Sequence, residues 1–152
     1  MNTAYVLISD AHRARCFERP VGSSVLVELA DFVSPHRQMV NQLDAGSQTG
    51  AAGKGHGRTG HAGTQFEPVT SETDKARADF AQQLADYLNT SAAEHQYQSL
   101  VLIATGPMLG EIEPRLNPVA VQALTRKVAK DFTHFTGPEL DVRVKRALEA
   151  PA

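Results

Sequence analysis

The chain has 152 residues and a mass of 16.4 kDa, with 41% hydrophobic and 21% charged residues and a net charge of -2. That length favours one domain burying roughly 68–70% of its unfolded surface, and the charge excludes a strongly basic protein, so any nucleic-acid contact must come from a local patch. The one cysteine, Cys16, excludes an internal disulfide and a multi-cysteine zinc site.

Ala4–Ser9 (AYVLIS) reads as a strand buried on both faces. Asp10-Ala11-His12 supplies a turn, Ala14–Glu18 a hairpin partner, and Val25–Phe32 a third strand, so the chain opens as an antiparallel meander. Pro20 and Gly22 punctuate the second connection. In the turn His12 is expected to face solvent, and Cys16 to be a small core residue rather than a nucleophile.

Val33–Thr70 has no sustained apolar periodicity, and Gly46–Gly63 holds seven of the chain's glycines. Such a long connection is uncommon in a compact domain and is usually functional or disordered. Ser71-Glu72-Thr73-Asp74 then reads as a helix start, with Ala76, Phe80, Leu84, Tyr87 and Leu88 on one face. Asp79, Gln82, Gln83 and Asp86 take the other, and the helix is expected to end near Asn89 or within Ser91–Glu94.

Leu100–Thr105 (LVLIAT) is a second buried strand, entering the sheet by crossover. Gly106–Leu116 should hold a loop and a short helix. Val121, Leu124, Val128, Phe132 and Phe135 fit a helical stripe, and Lys127–Thr133 fits an edge strand equally well. Thr136-Gly137-Pro138-Glu139 opens a last helix, with Leu140, Val144 and Leu148 on its apolar face.

No run approaches the ~18–20 apolar residues that span a bilayer. Met1–Asp10 lacks the basic region and cleavage site of a signal peptide, so a cytoplasmic domain without membrane insertion is expected.

The chemistry concentrates in the glycine-dense stretch. No acidic residue occurs between Asp44 and Glu67, whereas Lys54, His56, Arg58 and His61 all fall there. A nucleotide P-loop fails on residues: Gly55 follows Lys54 where Ser or Thr is required, and Gln48 replaces the first glycine. His56 and His61 alone are too few for a metal site, and no cofactor is indicated. Contact with RNA fits better: glycines allow close backbone approach, Lys54 and Arg58 neutralise phosphates, and the histidines can stack on bases. The bland alternative is a solvated surface insertion or linker. Asp131 and His134 lie close together but have no nucleophile elbow beside them.

The phrases Val6–Phe17 (VLISDAHRARCF), Glu67-Pro68, Phe80–Leu88 (FAQQLADYL), Leu100–Leu109 (LVLIATGPML) and Lys130–Leu140 (KDFTHFTGPEL) resemble the bacterial host attachment family. The resemblance spans nearly the whole chain. That family in turn is similar to the central domain of archaeo-eukaryotic peptide-chain release factors, which implies an α/β fold: a ribonuclease H-like mixed sheet with flanking helices. It implies one domain over residues 1–152, with a glycine-rich basic loop at about 33–70.

In release factors that loop carries His-Gly-Arg-Gly-Gly-Gln and reaches the peptidyl-transferase centre of the ribosome. Here the nearest string is His56-Gly57-Arg58-Thr59-Gly60-His61. His56, Gly57, Arg58 and Gly60 match by type, Thr59 replaces a glycine, and His61 stands in place of the glutamine. Gln65, four residues on, is a second candidate for that glutamine. The resemblance thus implies a translation-related domain that meets RNA or the ribosome through Lys54, His56, Gly57, Arg58 and Gly60. Its enzymatic rival is a peptidyl-tRNA ester hydrolase with His61 or Gln65 positioning water. A third reading is a protein-interaction or regulatory factor that affects adhesion indirectly.

Overall fold

Strand β1 (Thr3–Ser9) is the centre of the sheet because its side chains are apolar on both faces: Tyr5 and Leu7 point to one layer, Val6 and Ile8 to the other. A computed structural model describes residues 2–35 and 62–150, with the side chains of 62–71 excepted. β2 (Arg13–Pro20) returns antiparallel to β1, and β3 (Val27–Val33) antiparallel to β2, as the meander reading expected. The first turn is held by Asp10, whose Oδ1 accepts the amides of His12 and Arg13 at 2.8 Å each. Gly22, at φ +83°, supplies the left-handed residue of the second turn. Cys16 pairs with Ala30 and Phe17 with Glu28, so Leu29 bulges out of the ladder.

Helix α1 (Ala62–Ala93) crosses to β4 (Ser99–Ala104), which lies parallel to β1. Then follow α2 (Gly106–Ile112), a 3₁₀ turn (Glu113–Arg115), α3 (Pro118–Ala123), the edge strand β5 (Leu124–Ala129, parallel to β4) and α4 (Gly137–Glu149). The order β3-β2-β1-β4-β5, with β2 alone running against the rest, is the ribonuclease H-like mixed sheet that the resemblance implied.

Three layers result. Phe80, Leu84, Leu88, Met108, Ile112 and Ala120, from α1, α2 and α3, cover the Tyr5–Leu7 face. Leu140 and Val144 of α4, with Phe132, cover the Val6–Ile8 face. Asp79, Gln82, Gln83 and Asp86 are exposed, as the periodicity of α1 requires.

Two expectations need correction. α1 begins at Ala62, nine residues before Ser71, so the Ser71–Asp74 pattern lies inside the helix and does not start it. Ser, Thr and Asp cost a helix interior only a few tenths of a kcal/mol each, so a cap-like pattern marks a permitted start and not an obligatory one. Of the stretch 33–70, residues 36–61 lie outside the described residues and 62–70 form the first turns of α1. Between Val121 and Phe135 the helical stripe does not form. Asn117 caps α3 by accepting the Ala120 amide, α3 stops at Ala123, and the edge strand begins three residues earlier than read.

Candidate functional site

Lys54, His56, Gly57, Arg58, Gly60 and His61 lie outside the described residues. Gln65 falls in the first turn of α1, and its side chain is likewise outside them. The ends of this stretch are placed by β3, which closes at Val33, and by α1, which opens at Ala62.

Within the described residues, polar chemistry gathers at the carboxyl ends of the parallel strands. There β1 departs to β2 on one side while β4 lies on the other, the position where open α/β sheets commonly hold ligands. Asp10 follows β1, and Asp131, Thr133 and His134 follow β5. Asp10, Asp131 and His134 each bring one ligand atom within 4.8 Å of the others. Between the carboxylates sits the buried Thr133, its hydroxyl 2.5 Å from Asp131 Oδ1 and 3.2 Å from Asp10 Oδ2. The Thr133 amide also donates to Asp131 Oδ1 at 2.9 Å.

Partial burial pushes the Asp131 carboxyl up, but the two Thr133 hydrogen bonds and the charge of His134 outweigh it and hold the group below its ordinary value. Two carboxylates and an imidazole are a donor set suited to a divalent cation. The hydrogen bonds already made account for the cluster as a clasp that ties the first hairpin to the segment after β5. Sequence reading noted Asp131 beside His134 but not Asp10. Thr133 and Asp10 are 123 positions apart, and no spacing rule connects them.

Other candidate groups are interior. Cys16 is fully buried and its thiol is pushed up to about 12 by desolvation, which leaves it protonated and unreactive, in keeping with a core role. Nearby, Tyr5 stacks with Tyr87 and lies tilted against Tyr97, and all three hydroxyls are raised chiefly by the same burial. His12 is exposed in its turn. Arg15 is buried against the Phe17 ring, donating to Phe135 O at 2.9 Å and pairing with Glu28 at 3.3 Å. Among the described residues no helix is long and apolar enough to cross a membrane.

A family model described as "Protein required for attachment to host cells" matches residues 5–144. Curated protein sequences give no match. Among solved structures the chain is similar to an archaeal translation termination factor, at 11% identity and a TM-score of 0.43, over 97% of this chain and 39% of that one. It is also similar to the type II variant of the Aquifex aeolicus Ppx/GppA phosphatase, at 10% identity and a TM-score of 0.38, over 84% of this chain and 35% of that one. The chain thus spans well under half the length of either structure.

Proposed function

The chain belongs to the family of proteins required for attachment to host cells, and from that premise we propose that it is a single cytoplasmic domain that contacts RNA, free or within the ribosome, through its glycine-dense segment. The observation that carries this reading is the charge pattern. A chain of net charge -2 keeps every acidic residue out of the interval between Asp44 and Glu67, and places Lys54, His56, Arg58 and His61 in it. Lys54 and Arg58 supply counter-charge to phosphates, His56 a ring for stacking, and Gly57 and Gly60 room for the backbone to approach the nucleic acid.

Titration of the full chain with single-stranded and ribosomal RNA over a range of salt concentrations tests this. Affinity should fall steeply with salt, and Lys54→Ala with Arg58→Ala should flatten the slope by up to ~2 units. Binding indifferent to salt and to the double substitution overturns the reading. Incubation with peptidyl-tRNA and ribosomes separates the enzymatic rival: ester release that disappears in His61→Ala or Gln65→Ala would make the segment catalytic rather than merely binding.

A further inference from the structure

Among the described residues β5 is an open edge of the sheet, with no partner strand for one rank of its backbone N–H and C=O groups. A groove of about 620 Å³ runs along it, lined by Leu124, Thr125, Arg126, Lys127, Val128 and Lys130 of the strand and its end. Glu113 and Val121, from the layer of α2 and α3, form one wall, and Ala147 and Ala150 of the α4 end form the other. The slot therefore has the sheet edge as its floor and a helical layer on either side, the space a sixth strand would occupy.

Its chemistry is apolar and cationic. Val121 is 47% exposed, and Leu124 and Val128 are only partly covered. Arg126 donates to the carbonyls of Ala147 and Ala150 and so closes the carboxyl end of α4. Lys127 Nζ reaches both Glu113 oxygens, at 3.0 and 3.1 Å, across an exposed gap. Lys130 is exposed and has no ion pair among the described residues. Lys127 and Val128 face opposite sides, since they pair with Leu102 and Ile103 in turn.

We propose that the β5 edge is a docking slot for an extended acidic segment of a partner protein, which adds to the sheet as a sixth strand. Its acidic side chains face Lys127, its alternate apolar side chains lie against Val128 on the opposite face, and its end passes the exposed Lys130 just beyond the strand. The rival occupants fit less well. A two-fold pairing of β5 with its own copy sets Lys127 and Lys130 against like charges. The acidic β3 of a second copy has Glu28 held by Arg15 and is bulged at Leu29. The chain's own 36–61 stretch holds Arg37, Lys54 and Arg58 against the single carboxylate of Asp44, a charge of the wrong sign for Lys127 and Lys130. RNA makes no use of an apolar wall beside an open main-chain edge.

The test is fluorescence anisotropy of the full chain with three labelled peptides. One alternates valine and glutamate, one alternates valine and lysine, and the third is the glutamate peptide N-methylated at every second residue. The slot should bind the first alone. Lys127→Glu with Lys130→Glu should weaken it roughly tenfold or more, while Glu113→Gln, which frees Lys127, should tighten it. Denaturation curves superimposable on the parent's confirm that these exposed substitutions leave the fold intact. Failure of the glutamate peptide to bind, or equal binding of the lysine or N-methylated peptide, overturns the proposal. Competition by oligouridylate that the Lys127/Lys130 variant loses would make the slot an RNA surface. Self-association that the same variant loses, seen by sedimentation, would give it to a second copy. Either result replaces the acidic segment.

Discussion

Thr133 shows how one hydroxyl can join distant parts of a chain. It is buried, and it contacts carboxylates from the first hairpin and from the segment after β5. Thr133→Val keeps the shape and removes the hydroxyl, so at neutral pH it should cost about 1.5–3 kcal/mol, the range for hydrogen bonds to charged groups. The pH dependence has a definite sign. Asp131 is held below its ordinary value in the folded state, so its contribution to stability is complete above the ordinary carboxylate range and is lost as pH falls through the folded value. Urea denaturation of both proteins should show the gap at pH 7 shrinking at pH 3, and a gap that stays constant would dissociate Thr133 from the titration. The roles of Cys16 and His12 were legible in the sequence, because a lone cysteine in an apolar strand and a histidine in a polar turn follow local rules. The clasp was not legible, since side chains so far apart meet only after the sheet has formed.

At the level of elements, local periodicity carried most of the information. Phe80, Leu84 and Leu88 are fully buried and Gln83 is exposed, as the spacing along α1 required. Phe80→Ala should therefore cost about 3–5 kcal/mol, by lost transfer energy and the cavity left behind. Gln83→Ala should stay within about 0.5 kcal/mol of the parent. Guanidinium titration of the two variants checks both, and comparable losses would mean that α1 does not pack by that face. Periodicity was weakest where elements are short. Six residues of α3 followed by six of β5 fit helical and alternating templates alike, and the choice fell to the edge that β4 offered for pairing. Nor did any pattern point to Asn89, whose side chain donates to Arg115 O at 3.1 Å and accepts the Asn117 amide at 2.9 Å, fastening α1 to the turn before α3.

Across the whole molecule, the sequence patterns gave a hairpin and a crossover, the resemblance implied a mixed sheet with flanking helices, and the strand order that links them is read from the structure alone. Both core clusters are assembled from residues 5–17 and 80–144, with partly buried neighbours from β3 and the end of α4. If the glycine-dense stretch serves as an arm for RNA, then scaffold and arm must be separable in energy. Replacing residues 46–60 with a short Gly-Ser linker should leave stability unchanged, or raise it by about 0.6 kcal/mol for each halving of the connection, because loop-closure entropy grows only with the logarithm of length. RNA affinity should fall in the same protein by the full electrostatic contribution of Lys54 and Arg58. The two measurements must be made together. Lost affinity with retained stability supports an arm on an independent scaffold. A collapse of stability would instead make the stretch part of the packed domain, with its cations serving the fold and not a partner.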